Sequence, residues 1–329
     1  MKKIVSLLLL ITLLVLPLSA MTACSTDSPD NIRVYVLNGT TGFGMAKMIN
    51  DYKDDPLYSF TVQTDPSIVS AALISGDVDI AALPTNAASN VYNKTRGGVK
   101  VIAVNTLGCL YLLTKGGTTV NNFADLKGKT VYVPAQNPTF IFTDLCRKNG
   151  LIPGTDVTIS NEFAEPAALR AQIVAGKIDV AVLPEPMVTM AISGAKQNNV
   201  TITNAMDLTV EWDKVNTPGS LVQGCVVVRT EFLEKYPEAV SDFLEEYEKS
   251  IAYLTESTAE AAQMIYDNGI FANAAVAEKA IPKCNVCFLV GDEMKEAMNT
   301  YLTVLMGINA NAIGSTLPSN DFYFDYQGK

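Results

Sequence analysis

The sequence predicts an α/β protein made of two similar lobes, each built on a mostly parallel sheet. Three observations carry that prediction. The stretch "DPSIVSAALISGDVDIAALPTN" (65–86) returns one hundred residues later as "EPAALRAQIVAGKIDVAVLPEP" (165–186). Each copy ends in a short, continuously apolar run, the pattern of a parallel strand covered on both faces. A chain of 329 residues is also too long for one ordinary core but comfortable for two.

The N-terminus reads as an address. In "MKKIVSLLLLITLLVLPLSAMTACS" two lysines precede an apolar run from Ile4 to Leu18. A run of that length suits a signal-peptide core, whereas a spanning helix needs about 20 residues. Met21-Thr22-Ala23-Cys24 resembles a bacterial lipobox, in which the chain is cut before the cysteine and lipid joins its sulfur. Met21 stands where that motif most often has Leu. The alternative is a plain secretory signal cut after Ala20 or Ala23, leaving Cys24 as a thiol. The expected division is therefore a signal peptide at 1–23, then a lipidated Cys24 with a polar tether ending at residue 30.

The first lobe opens with a strand at 31–39, a helix from about Gly42 to Tyr52 and a strand at 59–64. In the first repeat Asp65 is a good N-cap and Pro66 suits the first helical position. Val69 and Leu73 mark one buried face, Gly76 ends the helix, and "IAAL" is a core strand stopped by Pro84. A fourth strand follows at 99–106. The second lobe has a strand at 129–135, a helix near 138–149 and a segment at 156–163 leading into the second repeat. There Pro166, Leu169, Ile173, Gly176, Asp179, Leu183 and Pro184 match Pro66, Val69, Leu73, Gly76, Asp79, Leu83 and Pro84. A late strand lies at 200–206. After Val228 the pattern turns helical, at 230–255, 257–268, 273–282 and 291–307.

Composition excludes several chemistries. Formal net charge is −10, and −12 without residues 1–23, which hold two lysines and no acid. That balance argues against nucleic acid and against an anionic membrane face as partner. No histidine is present, which removes Ser-His-Asp and Cys-His catalysis and the usual zinc ligand sets. Beyond Cys24 five cysteines remain, an odd number that cannot all pair internally. Cys284 and Cys287 form either a local disulfide or two buried thiols. Cys109 and Cys225 sit in strand-like runs that could be neighbours.

Five segments together resemble a substrate-binding lipoprotein of an ABC importer. They are the lipobox ending at Cys24, "NGTTGFGMAKM" (38–48), "GDVDIAALPTN" (76–86), "LKGKTVYVPAQNPT" (126–139) and "GKIDVAVLPEP" (176–186). More narrowly, the chain is similar to the group of nitrate, sulfonate, taurine and thiamine-precursor binders. The resemblance implies a type II periplasmic-binding-protein fold, with two crossover strands near 107–114 and 220–228 as a hinge. Lobe 1 would hold 31–108 and 225–329, and lobe 2 would hold 109–224. It further implies a monomer without cofactor or metal, tied to the extracytoplasmic face of a bacterial membrane only by its lipid. Such a protein captures a small molecule between its lobes and delivers it to permease subunits. The alternative is a sensing lipoprotein that reports to a membrane receptor. One branch of the family resembles a pyrimidine-forming enzyme that needs a reactive histidine, so enzyme activity is not expected.

Ligands of open α/β sheets bind beyond the carboxyl ends of the strands. Asn38, Thr40 and Thr41 follow the first strand, where helix-start N–H groups favour anions or carbonyl oxygens. The glycines there could equally serve only a tight turn. Thr85 and Asn86 end the first repeat strand, as ligand contacts or as a cap for the next helix. Asn105 ends the fourth strand, and Gln136, Asn137 and Thr139 form the second lobe's strand–helix loop. Glu185, between two prolines, offers a carboxylate suited to an amine donor, or is a salt-bridged rim residue. Trp212, the only tryptophan, either stacks on a ligand or fills the core. Cations are scarce at these strand ends. The expected ligand is therefore an amine-bearing aromatic or heterocycle, such as a thiamine-precursor-like pyrimidine, then a sulfonate, then nitrate.

Overall fold

The structure is a computed structural model that describes residues 28–326 and Gly328. The signal peptide and Cys24 lie outside the described residues. One sheet contains β1 (Ile32–Leu37), β2 (Tyr58–Gln63), β3 (Ile80–Pro84), β4 (Val99–Leu107), β10 (Val222–Arg229) and β11 (Val286–Leu289), in the order β11-β4-β10-β3-β1-β2. The other contains β5 (Leu110–Lys115), β6 (Thr130–Tyr132), β7 (Thr158–Ser160), β8 (Val180–Pro184) and β9 (Ile202–Asp207), in the order β7-β6-β8-β5-β9. These are two lobes of mixed α/β structure, the type II periplasmic-binding-protein arrangement.

The repeat units form as read. In α3 (Pro66–Ser75) the Asp65 side chain accepts the Ser67 N–H at 2.8 Å, and Gly76 closes the helix at φ 84°. Its counterpart α6 (Pro166–Val174) also starts at a proline, and Gly176 follows it at φ 69°. Val69, Leu73, Leu169 and Ile173 are all buried, each contributing about 1.5–3 kcal/mol. The copies part at one acid. Asp79 is 3% exposed and takes two hydrogen bonds from the Arg33 guanidinium, at 2.6 and 2.9 Å. Asp179 is exposed and pairs with Lys115 at the surface.

Each repeat strand has one parallel neighbour, in a run where β1 pairs with β2 and β3, and β6 with β7 and β8. The two crossover strands are antiparallel to theirs, β10 between β3 and β4, and β5 between β8 and β9. A strand arriving from the other lobe enters its sheet at the carboxyl ends of the parallel strands and so must run the opposite way. Each sheet is consequently more mixed than a mostly parallel reading suggests.

The helices depart from the sequence reading in three places. The segment read as one helix at 230–255 is α9 (Thr230–Lys235) and α10 (Pro237–Glu256), interrupted at Tyr236. Pro237 cannot donate a backbone bond and pushes Tyr236 out of the helical region, to φ −131°. The first helix is likewise two, α1 (Thr40–Phe43) and α2 (Ala46–Tyr52). Between them Gly44 lies so close to α10 that a Cβ would fall 2.8 Å from Ile251 Cγ1. Residues 274–283 are α12 (Ala274–Ala280) followed by a 3-10 turn. Other helices include α4 (Thr85–Thr95), α5 (Asn137–Lys148), α7 (Met187–Ala195), α8 (Leu208–Val215), α11 (Thr258–Asp267) and α13 (Gly291–Ile308). None of the helices among the described residues is long and apolar enough to cross a membrane.

One apolar cluster crosses the junction between the lobes. Leu110, Leu112 and Val182 of the second sheet share it with Val104, Val222 and Cys225 of the first, under Met298, Tyr301 and Leu302 of α13. All five cysteines of the described residues are free thiols. Cys225 lies inside β10, whereas Cys109 precedes β5 in the other sheet, so the two are not on neighbouring strands.

Candidate functional site

The loops at the carboxyl ends of the parallel strands meet across the junction of the lobes. The Thr40 hydroxyl, at the start of α1, donates to the Glu185 carbonyl at 2.9 Å. Asn137, at the start of α5, donates through Nδ2 to Asn86 Oδ1 in α4 at 2.8 Å. The Tyr111 hydroxyl of β5 reaches the Lys283 carbonyl at 3.0 Å. Four residues singled out from the sequence as strand-end groups are thus brought together in two pairs, each with one member from either sheet's side. A groove of about 420 Å³ runs beside the second pair, lined by Asp65, Ser70, Asn86, Asn90, Lys94 and Gln136.

A second polar knot lies at the end of β4. Asn105 Nδ2 donates to the Thr41 carbonyl and to the Tyr247 hydroxyl, each at 3.0 Å, and its Oδ1 accepts from Thr106 at 3.1 Å. Gly224 of β10 is pressed against this knot. A Cβ there would stand 2.6 Å from Asn105 Oδ1. The "GCVVVR" run gives a sequence signal for that glycine, but nothing local marks Tyr247, which lies in α10 142 residues from Asn105.

The remaining expected residues are placed elsewhere. Thr85 is buried and donates to the Val222 carbonyl, tying α4 to β10. Thr139 is engaged within its own loop, donating to the Pro134 carbonyl at 2.7 Å and accepting from Asn161. Asn38 and Gln136 are exposed, Gln136 in the left-handed region at φ 63°. Trp212 is fully buried between α8 and α13, its Nε1 donating to Ser220 at 2.9 Å and its ring 5.9 Å from that of Tyr301.

Glu185 is the electrostatic centre. It follows β8 on a cis bond to Pro186 and is only 2% exposed. Its carboxylate accepts from the Thr189 N–H at 3.0 Å and the Thr189 hydroxyl at 2.9 Å, bracing the first turn of α7. Burial raises its pKa above the ordinary glutamate value, opposed by the Thr189 bonds and by the charge of Lys283. Cys109 and Cys284 flank it. Burial lifts the Cys109 thiol to about 12, with Glu185 adding to the rise, and pushes Cys284 well up, with Cys109 and Glu185 adding. Thiols so raised stay protonated and are poor nucleophiles. Among the described residues no group of three or more acids, cysteines or histidines could hold a metal ion. The chemistry available is hydrogen bonding by neutral groups around one buried carboxylate.

Comparisons with known proteins agree with the fold. A search of curated protein sequences finds no match. Among solved structures, an ABC transporter protein from Parabacteroides distasonis superposes with a TM-score of 0.76 at 26% identity, covering 91% of this chain and 100% of that one. Two more distant structures share the fold. The periplasmic aliphatic sulphonate binding protein SsuA from Escherichia coli has a TM-score of 0.70 at 15% identity, covering 92% and 95% of the two chains. The periplasmic nitrate-binding protein NrtA from Synechocystis PCC 6803 has a TM-score of 0.61 at 12% identity, covering 86% and 84%. The family model described as NMT1/THI5 like matches residues 58–261, well over half of the sequence, and the chain belongs to that family.

Proposed function

We propose that this protein is the solute-binding component of an ABC importer, a non-catalytic lipoprotein held through Cys24 outside the cytoplasmic membrane. It takes a small organic molecule between its lobes, 31–108 with 225–329 on one side and 109–224 on the other, and presents it to a permease. The observation that carries this reading is the meeting of strand-end groups from both sheets, Thr40 with Glu185 and Asn86 with Asn137. Contacts of that kind exist only while the lobes are together, so a ligand held there would favour closure. The names of the similar structures, an ABC transporter protein and binders of sulphonate and nitrate, support the same role.

The ligand we favour carries an amine on an aromatic or heterocyclic ring. Glu185 is buried, and its direct partners are the neutral donors of Thr189. The N–H groups of such an amine would donate to the carboxylate. An oxyanion would instead have to rely on backbone N–H groups. A thermal-shift screen of the purified protein against vitamins, nucleobases, amino acids, sulfonates and nitrate tests the reading. A ligand at a hundred times its Kd stabilises by about 2.7 kcal/mol, and amines are expected to give the shift. If sulfonates or nitrate alone raise the Tm, the amine assignment is wrong while the binding role stands. If an amine binds equally well to Glu185→Gln, the role given to Glu185 is wrong.

A further inference from the structure

A second polar groove, of about 420 Å³, opens at the end of the first lobe opposite to the cleft. Arg229 closes β10 there, beside Val99 at the start of β4, and Val228 pairs with Ile80 at the start of β3. Arg33, Arg229 and Lys235 line the groove together with Asp30, Asp79 and Glu231. Asp79 is already occupied by one of these cations. It accepts the Arg33 backbone N–H at 3.0 Å and the Arg33 guanidinium at 2.6 and 2.9 Å. Arg229 is served far less well. Its side chain is only 20% exposed, yet its Nη atoms stand 3.8 Å from Asp79 and 3.4 Å from Glu231. Its Nε is buried without a partner. Hydrogen bonds from nitrogen extend to about 3.2 Å, so neither acid is close enough to hold the guanidinium.

An arginine carries five N–H donors in a fixed fork, and a mostly enclosed one normally has them paired. That fork suits two oxygens of one anion, phosphate above all. Arg33, with 41% of its side chain exposed, brings a second guanidinium to the same groove. The chain also enters the lobe here, because Pro29, Asp30 and Asn31 form part of the groove wall. Cys24 stands five residues before Pro29, and such a stretch spans about 18 Å at most. With lipid on Cys24, the groove stays within about that distance of the membrane headgroups.

We propose that this groove binds a zwitterionic phospholipid headgroup, with Arg229 and Arg33 on the phosphate and Glu231 on the ammonium. The Glu231 side chain is 83% exposed, which puts its carboxylate at the rim. The net charge of −12 without residues 1–23 disfavours an anionic bilayer, so the headgroup is one that carries no net charge. The proposal rests on the lipoprotein part of the function proposed above and is independent of which solute the cleft holds. It makes the attachment two-pointed, with acyl chains in the bilayer and a headgroup in the protein.

The test titrates wild type, Arg229→Gln and Glu231→Gln calorimetrically with glycerophosphoethanolamine, the soluble headgroup, and with inorganic phosphate. Mass spectrometry of the protein recovered from membranes reads the lipid on Cys24. Wild type is expected to bind glycerophosphoethanolamine more tightly than phosphate. Arg229→Gln should weaken both about 10- to 100-fold, the range of a hydrogen bond to a charged group. Glu231→Gln should weaken glycerophosphoethanolamine alone, about 2- to 5-fold, as for an exposed ion pair. Binding of neither compound, or equal affinity in wild type and Arg229→Gln, overturns the site. Phosphate bound as tightly as glycerophosphoethanolamine, with Glu231→Gln without effect, marks a free-phosphate site and overturns the headgroup assignment. If Arg229→Gln does not fold, Glu231→Gln decides, and an unchanged affinity for glycerophosphoethanolamine overturns the assignment. A lipidated Cys24 without headgroup binding sinks the groove's role and leaves the lipoprotein reading standing. A Cys24 without lipid overturns that reading, and the headgroup assignment with it.

Discussion

Replacing Gly224 by alanine would strike the polar knot where β4 and β10 meet. The new Cβ would stand 2.6 Å from Asn105 Oδ1, and 3.0 Å from both Thr106 Oγ1 and Thr41 Oγ1. Side-chain carbons do not approach oxygen that closely, so Asn105 must move. It cannot move freely, since its amide is held by Thr41, Tyr247 and Thr106. Losing two of those bonds costs about 1–3 kcal/mol at the usual net worth of each. Overpacking a filled interior adds about 1–3 kcal/mol. The expected loss is about 2–6 kcal/mol, or a fall in Tm of about 4–12 °C at about 2 °C per kcal/mol. Calorimetric melting measures it, and a double-mutant cycle assigns it. If the clash is with the Asn105 amide, Asn105→Ala removes the obstacle, and the double variant is less damaged than the sum of the singles by about 1–3 kcal/mol. A Tm for Gly224→Ala within about 1 °C of wild type, or strict additivity in the cycle, would refute the reasoning.

Further outcomes follow from particular contacts. Asp79→Ala should cost about 2–3 kcal/mol in urea unfolding, because it strands Arg33, whose own partial exposure keeps the loss below that of a fully buried pair. Its repeat counterpart Asp179→Ala, at an exposed pair, should cost under about 1 kcal/mol. Asn137→Ala removes the bond to Asn86 that spans the lobes, and should weaken ligand binding about 2- to 10-fold by calorimetry while changing the unliganded Tm little. The raised pKa of Glu185 means that the folded protein favours its protonated form. That contribution to stability is complete below the ordinary value of 4.5 and is lost as pH rises through the folded value, so wild type should lose stability relative to Glu185→Gln over that rise. An amine ligand should in turn bind with proton release on the acid side, seen as a buffer-dependent binding enthalpy that Glu185→Gln lacks.

The fold was legible where local chemistry and periodicity agree. The cap at Asp65, the buried spacing of Val69 and Leu73, the stop at Gly76 and the core strand "IAAL" are all contained within about twenty residues, and the second copy repeats them. What escaped was decided at longer range. Helical periodicity runs straight through Tyr236, because the residues on either side of Pro237 keep apolar spacing while the backbone breaks. The direction of β5 and β10 is invisible in composition. An apolar run reads the same whether its neighbours lie parallel or antiparallel, and only the path between the lobes settles it.

The candidate site was half legible for a related reason. Strand-end position is a local property, and Thr40, Asn86, Asn137 and Glu185 all stand where the sheet rule places a ligand group. Which way a side chain turns depends on what waits for it elsewhere in the chain. Thr85 sits beside Asn86 and has equal chemistry, yet it turns to the Val222 carbonyl of β10, 137 residues away. Thr139 sits two residues from Asn137 and closes its own loop. Trp212, which the sequence left as either a stacking platform or a core residue, fills the core and is walled in by Tyr301 from α13. In a two-lobed protein the walls of the cleft are written near the strand ends. The groups that turn those side chains towards or away from it are written elsewhere in the chain, in β10 for Thr85 and in the C-terminal helix for Trp212.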